Sequence, residues 1–276
     1  MMKKMILVAT GIVFGTTFPM VAAADGSPWL PVPGSTQVFA GFTHQSGDEF
    51  YLGTTKMPLG NTLEQDTYSI GAQHGLADEL AIDVQLNYAK INFGSGSESA
   101  LGDSSIGINW RVLDEFDSIT KPTVTLRAAA LIAGSYEVGK IDAIGDDASG
   151  LELSVLAGKY LTPGLTVSGE LGYRYRSGEV PDDIWASANV GYSLASFVSV
   201  SAGYTATRSR GDLDIGGPGF SPPRFPEVQE DRNLVKVGAA FAVASSTSLN
   251  LNYGAVVSGR NTTKADVWGI SVVTSF

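Results

Sequence analysis

In Leu80–Tyr88, Leu80, Ile82, Val84, Leu86 and Tyr88 fall on one face of an extended strand, and Ala81, Asp83, Gln85 and Asn87 on the other. This two-residue period recurs along nearly the whole chain. In 165–176, Leu165, Val167, Leu171, Tyr173 and Tyr175 share a face opposite Thr166, Ser168, Glu170, Arg174 and Arg176. In the last stretch, Trp268, Ile270, Val272, Thr274 and Phe276 alternate with Gly269, Ser271, Val273 and Ser275. Strands that are greasy on one face and small or polar on the other need two different surroundings. With this alternation the apolar face meets lipid and the polar face lines an interior, as in a membrane-spanning barrel.

The period places about twelve strands, at 35–45, 65–75, 79–91, 103–113, 122–136, 149–160, 164–176, 183–193, 196–208, 232–243, 247–257 and 265–276. Connections alternate in length. The turns near 75–79, 162–164, 195 and 245–247 are short, with 113–122 the longer member of that set, whereas 46–64, 92–102, 137–148, 177–182, 209–231 and 258–264 are more polar and mostly longer. Barrels carry tight periplasmic turns and longer extracellular loops, which predicts an all-β, transmembrane, antiparallel up-and-down barrel with both termini periplasmic. In hydrocarbon an unpaired backbone group costs several kcal/mol, so the first strand must pair with the last. Tyr68, Tyr88, Trp110, Tyr136, Tyr173, Tyr192, Tyr204, Tyr253 and Trp268 supply aromatic girdles near strand ends.

The chain divides into three parts. Lys3 and Lys4 precede an apolar run that ends at Pro19 and the small residues Ala22–Ala24, which predicts a cleaved secretory signal over 1–24. Residues 25–34 form a short Pro-rich periplasmic lead-in that either hangs free or tucks into the barrel mouth. Residues 35–276 make the barrel. Cysteine is absent, which excludes thiol chemistry and thiolate metal sites. The 28 acidic residues outnumber 18 basic ones, which argues against nucleic acid as a partner.

A barrel of this size has a bore between the filled interior of eight strands and the wide channel of 16–18. Inward positions are largely small, among them Gly71, Gly107, Ser154, Ser187, Ser199, Gly238 and Ser271. The polar and ionisable inward residues, Asp83, Gln85, Arg111, Arg127, Glu152, Glu170, Arg174, Arg176 and Lys236, are the candidates to line a channel. Glu170, Arg174 and Arg176 on one strand either form an electrostatic constriction or pair with Asp83 or Glu152 and brace the wall. Within 209–231, Phe220, Arg224 and Phe225 mark a loop that either folds in as a constriction or stays exposed. The two histidines, His44 and His74, fall near opposite ends of their strands and outside any Ser/His motif, so no catalytic site, metal site or cofactor is expected.

Alternation ending in Phe276 resembles the signal read by the bacterial barrel-assembly machinery. The stretch Leu101-Gly-Asp-Ser-Ser-Ile-Gly-Ile-Asn-Trp-Arg-Val-Leu-Asp-Glu115 is similar to a recurring Leu-Gly-Asp…Gly…Arg-Leu-Leu-acid segment of one barrel family. Ser168-Gly-Glu-Leu-Gly-Tyr-Arg-Tyr175 and Phe276 are similar to its later strands. That family comprises outer-membrane proteins associated with the meta-pathway of phenol degradation, often called simply transporters. The resemblance implies an outer-membrane channel of about this size for small solutes, aromatic or otherwise hydrophobic, in a Gram-negative bacterium. Its partners would be the bilayer, lipopolysaccharide and the assembly machinery. A closed structural or host-interaction barrel is the alternative, and a lipid-modifying enzyme is a third reading.

Overall fold

A computed structural model describes residues 26–118 and 120–276; the expected signal over 1–24 lies outside them. Thirteen strand segments run in chain order: β1 Thr36–Leu52, β2 Thr55–Ala77, β3 Leu80–Phe93, β4 Gly96–Leu101, β5 Ser104–Leu113, β6 Thr123–Ile132 and β7 Gly150–Thr162, followed by β8 Leu165–Arg176, β9 Asp183–Ala195, β10 Val198–Ser209, β11 Asp231–Ala244, β12 Thr247–Arg260 and β13 Thr262–Ser275. Every strand pairing is antiparallel and joins sequence neighbours, except that β3 pairs with β5 as well as β4, and β1 pairs with β13 as well as β2. That last pairing closes the sheet. β4 and β5 are two halves of one strand: β4 pairs with the outer part of β3 and β5 with its inner part. The break at Gly102–Asp103 is spanned by Asn87, whose carbonyl accepts from Gly102 N at 2.9 Å and whose Nδ2 donates to Asp103 O at 2.6 Å. The result is a closed barrel of 12 strands.

Burial confirms which face is which. Ile82, Val84, Leu86 and Tyr88 are exposed, as are Ile106, Ile108, Leu151, Leu153, Trp268, Ile270 and Val272, while Ala81, Asn109, Glu152, Val267 and Ser271 are buried. A belt of exposed apolar side chains this continuous exceeds anything a soluble monomer tolerates, and matches a lipid-facing wall. No helix among the described residues is long and apolar enough to cross a membrane.

Three segments expected as loops are strands. Residues 46–64 continue β1 and β2 into a long ribbon turned at Gly53, which has φ +54°. Residues 92–102 complete β3 and form β4, and 258–264 extend β12 and β13 to a turn at Asn261, held at φ 47°. Above the lipid both faces of a strand are wet. The two-residue period then fades although the backbone pairing persists. In the opposite direction, β6 stops at Ile132 rather than 136. Tyr136 leaves the proposed girdle and bonds through its hydroxyl to the Asp103 carboxylate.

Candidate functional site: the barrel lumen

Asp83, Arg127, Glu152, Arg174 and Arg176, five of the inward charges predicted from the sequence, meet in one network. Arg127 on β6 donates to Asp83 on β3 (2.8 Å) and to Glu152 on β7 (3.0 Å). Arg174 on β8 binds the other oxygen of Glu152 (2.6 Å) and reaches Asp183 on β9 (3.2 Å). Arg176 continues from Asp183 (2.6 Å) to Asp146 in the loop 133–149 (2.6 Å). Antiparallel register makes this arrangement: Glu152 lies opposite Arg174, and Arg174 opposite Asp183. Each arginine is bracketed by two carboxylates, so the row braces the wall and presents no bare cationic constriction. The Arg174 guanidinium also sits 5.4 Å from the centroid of the Trp185 ring, which covers Gly172. Asp183 and Asp146 were not picked out by the alternation, because one opens a strand and the other sits in a loop.

The other candidates spread over the same inner surface. Gln85 donates to Asn87 Oδ1 at 3.1 Å. Arg111 lies at the short-turn rim, bonded to Asp78 O (2.6 Å) and Asp114 (3.1 Å). Lys236 is buried beside Gly203 on the far wall. Phe276 ends the closing strand: its N–H donates to Thr36 O at 3.0 Å, and Thr36 N–H donates to its carbonyl at 2.8 Å. His74 bonds Thr36 at 2.9 Å at one end of the β1–β2 pair, while His44 bonds Asp66 at 2.7 Å midway along it, because β1 runs on to Leu52 beyond the expected strand end.

The lead-in tucks inside. Residues 26–34 form a strap across one half of the lumen at its short-turn end. Gly26 N–H donates to Glu170 Oε2 (3.3 Å), Thr125 Oγ1 donates to Pro28 O (2.7 Å), and Trp29 Nε1 donates to Glu115 Oε1 (2.9 Å). The Trp29 ring packs 5.0 Å from that of Tyr160. Gly158 makes room beneath: a Cβ there would stand 2.6 Å from Pro28 Cγ and 2.8 Å from Trp29 Cη2. Gly34 N–H donates to Gly75 O at 2.8 Å where the strap enters β1. Glu115, in the 113–122 connection, is buried. A tryptophan in a Pro-rich lead-in was the available signal for its partner.

At the other end two loops converge. Residues 209–231 include a short 3-10 helix, Pro222–Glu227, in which Phe220 packs edge-on against Phe225 at 5.2 Å and Arg224 pairs with Glu227 at 2.5 Å. The predicted constriction trio therefore packs within its own loop. Across from it, a Cβ on Gly139 of the 133–149 loop would lie 3.4 Å from Pro222 O, so the two loops touch. The root of 209–231 is fastened by Asp214, which accepts from Arg260 (2.7 and 2.5 Å) and Asn261 (2.7 Å). Asn261 also takes the Gly53 N–H (2.8 Å) and donates to Gln229 O (2.9 Å), tying three outer turns together. The Arg260 hydrogen bond holds the Asp214 carboxyl below the usual carboxylate range.

Beside the strap, the short-turn end keeps a cavity of about 480 Å³ walled by β9–β13 and β1. A closed lipid-facing barrel with a polar, strapped bore defines the chain as a transmembrane β-barrel of the outer-membrane kind. Residues 27–268 match the model of the family described as "Putative MetA-pathway of phenol degradation", and the chain belongs to that family. No curated protein matches it in sequence. Among solved structures it is similar to the COG4313 outer membrane channel from Pseudomonas putida F1, at 16% identity and TM-score 0.76, covering 92% of this chain and 100% of that one. It is also similar to the NanC porin (10% identity, TM-score 0.56, 87% and 98% covered) and the KdgM porin (10%, 0.51, 86% and 99%). These likenesses are of fold.

Proposed function

We propose that the protein is a passive outer-membrane channel for small solutes, with small aromatic or other hydrophobic compounds as cargo. The observation that carries this reading is the incompletely filled bore: the strap covers one half of the inner mouth and leaves a cavity of about 480 Å³ in the other. A barrel built only as a scaffold gains nothing from that space, since voids forfeit packing. The family description, with its reference to phenol degradation, supports the aromatic class of solute. Charge supports a weakly selective pore, because Arg127, Arg174 and Arg176 are matched by Asp83, Glu152, Asp183 and Asp146.

In this reading the leader over 1–24 is removed on export, both termini face the periplasm, and the touching loops 133–149 and 209–231 form the extracellular vestibule. Phe276 is the assembly signal, and the exposed aromatic and aliphatic belt contacts the bilayer and lipopolysaccharide of a Gram-negative outer membrane. Asp83, Gln85, Arg111, Arg127, Glu152, Glu170, Arg174, Arg176 and Lys236 line the route, and no catalytic role is assigned. Planar-bilayer recording of the refolded protein tests this. Discrete openings support a channel; a persistently silent protein favours the structural or host-interaction barrel. Lipid turnover abolished by His44→Ala or His74→Ala would favour an enzyme instead.

A further inference from the structure

The slot that holds the strap is built by the barrel alone. Glu115, only 8% exposed, is set by its surroundings: the Tyr160 backbone N–H donates to Oε2 at 2.9 Å, and Thr123 Oγ1 donates to Oε1 at 3.3 Å. The Tyr160 ring walls one side, with the Phe116 ring 6.3 Å from it. Gly158 lies two residues before Tyr160 on the same face of β7 and leaves the floor bare. A fixed carboxylate, an aromatic wall and a floor without a side chain suit a planar ring that carries a hydrogen-bond donor.

Trp29 fits that description. Its indole Nε1 donates to Glu115 Oε1 at 2.9 Å, its ring lies 5.0 Å from that of Tyr160 at 53°, and a Cβ on Gly158 would meet its Cη2 at 2.8 Å. The backbone of the strap is held elsewhere, Pro28 O by Thr125 and Gly26 N–H by Glu170. The slot therefore reads a ring and its donor, chemistry that a free molecule can supply as well.

Resting on the channel reading, we propose that the slot of Glu115, Tyr160 and Gly158 binds small uncharged aromatic molecules bearing an O–H or N–H group, and that such a molecule displaces Trp29 and frees the strap. The solute then opens its own way through the inner mouth. A carboxylate only accepts, so the ring must bring the hydrogen. A methylated ring of similar shape leaves Glu115 without the bond, and a benzoate sets a second negative charge against the first. The tether gives Trp29 an effective concentration of millimolar order, so exchange needs solute in that range.

Isothermal titration in micelles, with protein-free micelles subtracted, measures the slot directly. Trp29→Gly binds indole at least tenfold more tightly than N-methylindole, and a further Glu115→Gln abolishes the preference. Should glycine impair folding, Trp29→Ala serves the same comparison. Equal affinities for the two rings overturn the slot. In planar bilayers, a few millimolar phenol raises the wild-type conductance severalfold, toward that of a channel lacking residues 26–33, while anisole leaves it unchanged. Phenol and anisole acting alike overturn the exchange. A wild type that stays silent with and without phenol overturns the channel reading, and the indole comparison still decides the slot.

Discussion

Glu115 grips Trp29 across 86 residues of chain: the indole Nε1 donates to its Oε1 at 2.9 Å, while the Tyr160 backbone N–H donates to Oε2 at 2.9 Å. One turn carboxylate therefore fixes both the strap and the end of β7. Hydrogen bonds to a charged acceptor contribute about 1.5–3 kcal/mol, enough to hold a short segment in place.

Trp29→Phe keeps the ring stack and removes that bond. The expected result is a channel that flickers between the wild-type level and a higher one, with the higher level held permanently when residues 26–33 are deleted. Single-channel recording checks both, and an unaltered current in the deletion would remove the strap from the conduction path.

Gly158→Leu offers the same outcome from the opposite side. A Cβ at 158 meets Pro28 and Trp29 within 3 Å, so the larger side chain should expel the strap without altering any strap residue. Conductance is expected to rise by the same factor as in the deletion. A normal current with a folded barrel would mean that the strap bends aside.

Arg174→Ala combined with Arg176→Ala leaves Glu152, Asp183 and Asp146 short of their partners. Reversal potentials under a KCl gradient should move toward cation selectivity by severalfold. Removal of one partner of a buried pair also costs about 3–5 kcal/mol, an upper figure here because Arg127 still holds Glu152. The urea midpoint in micelles should fall accordingly. An unchanged reversal potential would place the permeating ions away from this wall.

Asp214 sets a pH limit on the outer loop. Its folded-state carboxyl titrates below the ordinary range because Arg260 donates to it, so this contribution is complete at neutral pH, begins to erode as pH falls through the ordinary carboxylate range and is gone once pH has fallen through the lowered value. Trypsin should cut after Arg224 several times faster in Asp214→Asn than in wild type at pH 7.5. Current noise in the wild type should stay flat from neutrality down to the ordinary carboxylate range, begin to grow there and level off below the lowered Asp214 value. Equal cleavage rates would show that Asn261 alone fastens the loop.

What the sequence made legible follows the solvent. Wherever one face of a strand meets hydrocarbon, as in 80–88 or 268–276, alternation located it within a few residues. The ribbon of β1 and β2 beyond residue 46 has water on both sides, so its residues carry no period and resembled a loop. The inward charges were visible one at a time, because each sits on a polar position of its strand. Their pairing was not, since it depends on register between strands such as β8 and β9, and Asp146 enters from a loop with no pattern at all. The Trp29–Glu115 bond was hidden for a similar reason: both residues lie outside strands.

The seam between β1 and β13 has a consequence for biogenesis. Residues 36–51 find their second neighbour only when 262–275 are in place, almost the full chain later. Contacts of such separation form late, and an exposed strand margin invites wrong partners for the whole interval. Loss of β13 would therefore yield an aggregating half-cylinder with two raw margins instead of a slightly narrower tube.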